Sequence, residues 1–195
     1  MWITQDVEGV AQRLLDGQVG VFPTDTVYAV GCSAMDGQAL ERLLAVRKSP
    51  SEKRLQVHIG GLEQLASLVA EIPDLARPLM EAYWPGPLTL IFRQKPGVLP
   101  ASIFGGFETV AIRWPDCSME LALLNACGVP LVAPSANVAG RPPAQRIADA
   151  VGYFGEQVDF YLDHGESPSE MVSTLVDVTG SIPVVVRQGK IVLSL

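Results

Sequence analysis

Short apolar runs of strand length alternate with helically spaced segments along the whole chain, and several of the runs end in loops of Pro, Gly, Ser, Thr and Asn. That interleaving is the strongest constraint on the fold, because strands alternating with helices pack as an α/β sheet rather than as a bundle or a sandwich. Val7, Val10, Ala11, Leu14 and Leu15 predict a first helix stopped at Gly17, and residues 19–22 a buried strand. Further helices are expected at 37–46, 62–69, 75–83, 119–126 and 144–153. Strands are expected at 55–59, 88–92, 109–113, 130–133, 160–162 and 173–178. Residues 184–187 and 191–193 read as a closing hairpin around Gln188-Gly189, which argues against a purely parallel sheet. The expectation is α/β with a mixed sheet.

With 195 residues, 48% of them hydrophobic and only 18% charged, the chain can fill one core and has no linker that would separate a second domain, so residues 1–195 read as a single domain. A net charge of −7 opposes a general grip on nucleic acid or anionic lipid, so any anion site must be local. The first 20 residues carry Asp6, Glu8, Arg13 and Asp16, unlike a secretory signal, and no run reaches the length needed to span a bilayer. A cytoplasmic protein without membrane contact is expected. Cys32, Cys117 and Cys127 are an odd, widely spaced set, which suits reduced, mostly buried thiols.

Four polar segments fall at expected strand ends, where open α/β sheets place their ligand crevices. Pro23-Thr24-Asp25-Thr26 can present hydroxyls and a carboxylate to a small polar ligand, or simply form a Ser/Thr turn. Residues 47–54 hold four of the 14 positive side chains, Arg47, Lys48, Lys53 and Arg54, which suits an anion site or a solvated helix end. Pro134-Ser135-Ala136-Asn137 can form a nest of backbone N–H groups or cap the helix that follows. Arg113, Ser173, Thr174 and Arg187 lie at strand ends and become a site only if they converge.

Taken together these segments resemble the YrdC-like family of threonylcarbamoyl-AMP synthases. Pro23-Thr24-Asp25-Thr26-Val27-Tyr28 resembles the start of the family's P-T-[ED]-T-V-Y-G-L-G, with Ala29 and Val30 replacing Gly and Leu before Gly31, Trp84-Pro85-Gly86-Pro87-Leu88-Thr89 its W-P-G-P-[LV]-T, and Ala111-Ile112-Arg113-Trp114-Pro115 its A-[VI]-R-x-P. Pro134-Ser135-Ala136-Asn137-Val138-Ala139-Gly140 resembles P-S-A-N-x-S-G, Ser173-Thr174-Leu175-Val176-Asp177 S-T-[VI]-V-D, and Arg187-Gln188-Gly189 the closing R-x-G. The resemblance implies a twisted mixed sheet with flanking helices around a concave, positively lined cavity, in the short, single-domain form.

It also implies a nucleotidyltransferase that condenses L-threonine, bicarbonate and ATP, with Mg²⁺, to threonylcarbamoyl-AMP and pyrophosphate. The product feeds a separate threonylcarbamoyl-transferase complex that modifies adenosine 37 of tRNA, with tRNA or double-stranded RNA as a further contact. Carried over by position, Thr26, His58, Arg113 and Ser173 would hold threonine. Arg47, Ser135, Asn137 and Arg187 would face the nucleotide, with Lys48 adding charge by proximity, and no covalent intermediate is expected. Without the resemblance, His58 reads as a half-buried strand histidine rather than a ligand-binding one.

The departures lie in the basic segment, where the family's K-x-R-P becomes Arg47-Lys48-Ser49-Pro50 and its following [KN]-P-L becomes Lys53-Arg54-Leu55. Ser49 cannot supply an Arg fork, so phosphate binding would either weaken, with reduced or altered synthase activity, or pass to Lys48 or Arg54. Ala139 also stands where the family has Ser. Two other readings follow: a divergent YciO-like protein acting on a different carbamate or carbamoyl donor, and an RNA-binding or ribosome-maturation module without turnover.

Overall fold

A computed structural model describes residues 1–48 and 54–193. Ser49, one of the altered positions of the basic segment, and Lys53 lie outside the described residues. The chain forms strands β1 (Ile3–Thr4), β2 (Gly20–Phe22), β3 (Ala29–Ser33), β4 (Gln56–His58), β5 (Leu88–Arg93), β6 (Thr109–Arg113), β7 (Leu131–Val132), β8 (Phe160–Leu162), β9 (Thr174–Asp177) and β10 (Val184–Arg187). Helices α1 (Val7–Leu15), α2 (Gly37–Arg47), α3 (Leu62–Leu68), α4 (Arg77–Tyr83), α5 (Ser118–Cys127) and α6 (Ile147–Phe154) are interleaved with them.

The strands make one ten-stranded sheet in the order β1-β8-β2-β3-β7-β4-β6-β5-β9-β10. It is mixed, as expected: β1 and β2 run parallel to β8, β4 to β6 and β5 to β9, while the β2–β3, β3–β7, β7–β4, β6–β5 and β9–β10 pairs are antiparallel. Two departures from the expectation are informative. Residues 29–33 form a strand that the sequence pattern does not single out, because all five are buried and no alternation marks them. Gly31 is required there, since a Cβ would stand 1.9 Å from the carbonyl oxygen of Val132 on the neighbouring strand.

The terminal hairpin does not form. Strand β10 pairs with β9, and residues 188–191 fold back across the start of β9 instead of forming a second arm. There the Thr174 hydroxyl accepts from the backbone N–H groups of Gly189 and Ile191 and donates to the Ile191 carbonyl, while Lys190 N–H donates to the Val172 carbonyl. Thr174 and the Val172 carbonyl thus satisfy backbone groups that a hairpin would have paired.

Alternation along the strands divides the sheet into two faces. Val21, Val30, Val57, Leu88, Leu90, Ile112, Val132 and Val176 enter the larger core. Phe22, Ala29, Leu131 and Ala133 point the other way, into a smaller core built with α1 and α5 through Val10, Leu14, Leu123 and Leu124. On that second face, Gln56, His58, Thr89 and Arg113 stand at the positions that alternate out of the larger core. A face lined by polar side chains is thereby set beside a helix-covered apolar one. The three cysteines are buried and free, and burial pushes Cys32 up to about 12 and Cys117 and Cys127 up to about 11. No helix among the described residues is long and apolar enough to cross a membrane.

Candidate active site

The polar face opens into a cavity of about 290 Å³ lined by Thr26, Arg47, Arg54, Gln56, His58, Arg113, Ser135, Asn137, Ser173 and Arg187, among others. Four arginines line it, and among the described residues no Asp or Glu does. Eight of the nine side chains expected at the site are therefore brought together from across the chain. Lys48 is the exception: it is exposed, caps the C-terminus of α2 in the left-handed conformation (φ 51°) and is not part of the lining.

At one end Arg113 is only 2% exposed at the last position of β6. Its Nε donates to the Gly86 carbonyl (3.1 Å), Nη1 to Thr26 Oγ1 (3.0 Å) and Nη2 to Asp25 Oδ1. The Trp-Pro-Gly-Pro turn and the Pro-Thr-Asp-Thr turn are thus the two jaws that hold this guanidinium. Two of its five N–H groups stay uncommitted among these bonds, one on each Nη. The Thr24 hydroxyl donates to the Val27 carbonyl, so the hydroxyl contact between Thr24 and Thr26 (2.9 Å) spends the Thr26 proton. Thr26 therefore meets a ligand as an acceptor.

His58 ends β4 and is the register partner of Arg113 across the parallel β4–β6 pair. It is 1% exposed, not half-buried, and its Nδ1 lies 2.5 Å from Oε1 of Glu120, which is 0% exposed on α5. His58 Nε2 and Glu120 Oε2 are buried without a hydrogen-bond partner. Burial, reinforced by the Arg113 charge, holds His58 well below the usual histidine range, and burial lifts Glu120 well above the usual carboxylate range. Sequence reasoning missed Glu120, though a signal was present: Glu120, Leu123, Leu124 and Cys127 share the buried face of α5, so a carboxylate occupies an apolar position of the helical period.

Ser173 bridges this end to the other. Its hydroxyl contacts Thr89 Oγ1 at 2.8 Å and receives Arg187 Nη2 at 3.2 Å, while the Ser173 carbonyl accepts from the same Nη2 at 2.9 Å. Gln56 Nε2 donates to Thr89 Oγ1 at 2.6 Å. Gly189 packs against this backbone so closely that a Cβ would lie 2.3 Å from the Val172 carbonyl.

At the far end the Arg47 carbonyl accepts from Ala139 N–H (3.1 Å), which ties the end of α2 to the Pro-Ser-Ala-Asn loop. Within that loop Ser135 donates to Asn137 Oδ1 (2.7 Å), and Asn137 Nδ2 donates to the carbonyls of Val138 and Arg141. The loop does not cap the next helix, which starts at Ile147 with Arg146 as its N-cap. Burial pushes Arg47 down to about 10. Arg54 also reaches the cavity, its guanidinium carbon 4.4 Å from the centre of the Phe107 ring, and burial lowers its pKa. A second cation from the altered basic segment thus joins Arg47 in the lining, and it is Arg54 rather than Lys48.

Comparison with known proteins places this arrangement. A family model for the Sua5/YciO/YrdC domain, described as telomere recombination, matches residues 12–189. The chain is 37% identical over 174 residues to the threonylcarbamoyl-AMP synthase of Pyrococcus abyssi, covering 89% of this chain and 51% of that protein. It is 36% identical over 181 residues to the enzyme of the same name from Bacillus subtilis, covering 93% and 52%. The chain spans about half the length of these two relatives. Among solved structures, P. abyssi Sua5 complexed with L-threonine superposes with a TM-score of 0.91 at 34% identity, over 96% of this chain and 56% of that one. YciO of E. coli superposes with a TM-score of 0.84 at 25% identity, over 97% and 94%. With the family model matched from Gln12 to Gly189 and the same fold in these relatives, the chain belongs to the Sua5/YciO/YrdC family.

Proposed function

We propose that this protein is a threonylcarbamoyl-AMP synthase, an adenylate-forming nucleotidyltransferase that joins L-threonine, bicarbonate and ATP and releases pyrophosphate. The observation that carries the reading is the union of two unlike parts in one cavity: a guanidinium held by Thr26, Asp25 and Gly86, and three further arginines, Arg47, Arg54 and Arg187, in the same lining. The first suits a carboxylate with an adjacent amine, and the second suits phosphates.

In this reading the two uncommitted N–H groups of Arg113 take the threonine carboxylate, and the open lone pair of Thr26 accepts from its amine. The amine adds to the bicarbonate carbon, water leaves, and the resulting carbamate oxygen attacks the α-phosphorus while pyrophosphate departs. Both partners are anions, so the arginines offset their repulsion and the charge that grows on the phosphorus oxygens. Arg187, tied to Ser173, lines the same cavity and feels the Arg113 charge, so it serves both anions. Binding inside the cavity also reduces the contact of the carbamate with water.

Mg²⁺ would arrive with ATP. The lining offers the oxygens of Ser135 and Asn137 but no carboxylate, and no group of three His, Cys, Asp or Glu among the described residues is placed to hold a metal. The donor set therefore suits an ion whose charged ligands are the phosphates, where it would neutralise the leaving pyrophosphate. The adenylate would pass in the cytoplasm to a separate transferase acting on tRNA. The test is pyrophosphate release from ATP, Mg²⁺ and bicarbonate with and without L-threonine. Release that needs threonine and is lost in Arg113→Ala is expected, and release that ignores threonine would overturn the substrate assignment.

A further inference from the structure

Resting on the threonine-end reading above, we propose that Glu120 is a positioning residue that holds the His58 ring with a hydrogen on Nε2, making that nitrogen a donor to the anionic group received by Arg113. Three structural features converge. His58 and Arg113 are register partners at the ends of neighbouring parallel strands, so their side chains leave the same face side by side, about one strand spacing apart. His58 lines the cavity, and its Nδ1 is taken by Glu120 at 2.5 Å, which leaves Nε2 as its one nitrogen for a ligand. Glu120 lies on the covered face of α5 and is outside the lining, so it acts on a ligand only through His58.

The proton count follows from the surroundings. Glu120 Oε2 has no donor, and an ionised carboxylate with an unsatisfied oxygen at 0% exposure is strongly disfavoured. The charged groups that face the pair are Arg113 at the end of β6 and Asp25 in the turn after β2, and they are already paired with each other. With a protonated Glu120 donating to Nδ1, the neutral imidazole carries its own hydrogen on Nε2. The ring is then a donor held in one tautomer, without a net charge that would need solvent. Arg113 and His58 together present N–H groups to one anion, while Thr26 presents an acceptor beside it. That set matches an α-amino acid better than a simple carboxylate.

The experiment reads the tautomer directly. The chain has two histidines, so long-range ¹H–¹⁵N spectra of uniformly labelled protein contain two imidazoles, and a His164→Gln variant assigns them. The expected wild-type result is His58 as the Nε2–H form with no change from about pH 5 to 8. Glu120→Ala should give mixed tautomers and raise the KM for threonine about tenfold, with kcat altered less than about twofold. Glu120→Gln, whose amide N–H replaces the acid proton, should restore both the tautomer and the KM. An Nδ1–H tautomer in the wild type, or a Glu120→Ala protein with the wild-type spectrum and threonine KM, would overturn the proposal. If Glu120→Ala does not fold, the wild-type and Glu120→Gln spectra decide. If the wild type ignores threonine, the functional reading fails while the spectra still judge the Glu120–His58 pairing.

Discussion

Arg113 faces the cavity already paired, with its Nη2 bonded to Asp25 Oδ1 at a site where the arginine is 2% exposed. The pair is a frame as much as a source of charge. Asp25 and Thr26 on one side and Gly86 on the other fix the guanidinium plane, so the free N–H groups point in set directions before any ligand arrives. Only Oδ1 of Asp25 takes part, and Oδ2 remains buried and unpartnered.

Removing either partner should therefore have different consequences. Asp25→Ala leaves a buried, uncompensated guanidinium and should lower stability by roughly 3–5 kcal/mol in urea unfolding. Arg113→Lys keeps the charge but cannot reach Gly86, Thr26 and Asp25 together, and should cost roughly 10- to 100-fold in kcat/KM for threonine. Equal activity in Arg113→Lys would refute the geometric role.

Arg54 and Lys48 separate in the same way. Arg54 lines the cavity, whereas Lys48 is exposed and outside it. Arg54→Ala should raise the KM for ATP about tenfold and leave the KM for threonine within about twofold. Lys48→Ala should leave both within about twofold. Steady-state kinetics with each substrate varied in turn checks this pairing of outcomes.

The Glu120–His58 pair predicts a stability plateau. The folded state keeps Glu120 protonated and His58 neutral, whereas the unfolded chain titrates near 4.5 and 6.5. Between those values the unfolded and folded states bind the same number of protons, one on histidine in the former and one on glutamate in the latter, and the pair adds no slope. Above about 6.5 the unfolded chain has lost both protons and the folded state holds one, so stability falls as pH rises. Below about 4.5 the unfolded chain holds two, so stability falls as pH drops. In Glu120→Gln the high-pH decline, at most about 1.4 kcal/mol per pH unit, should vanish relative to wild type. Parallel declines in denaturation curves of the two proteins would remove the assignment.

Gly31→Ala tests the packing of β3 on β7. With a Cβ 1.9 Å from the Val132 carbonyl oxygen, the strands must part along the line that joins the two halves of the sheet. A loss at or above the top of the usual 1–3 kcal/mol overpacking range is expected in thermal or urea unfolding. An unchanged midpoint would mean that the strands do not approach as described.

Local pattern carried much of this protein. The alternation in Leu55-Gln56-Val57-His58-Ile59, and that of Leu88-Thr89-Leu90 and Ala111-Ile112-Arg113, already puts Gln56, His58, Thr89 and Arg113 on the face opposite the larger core, and the ordered turn motifs mark where the strands end. Such features are legible because period and turn chemistry act over a few residues. Strand β3 was not legible, since a strand buried on both faces shows no alternation, and the closing hairpin was misread because β10 finds its partner in β9 and Thr174 satisfies the residues beyond it. Only the tertiary structure decided that Glu120 meets His58 across 62 positions, that Asp25 meets Arg113 across 88, and that Arg54 rather than Lys48 enters the cavity. Those choices depend on which elements pack together, and burial then sets the protonation that the site uses.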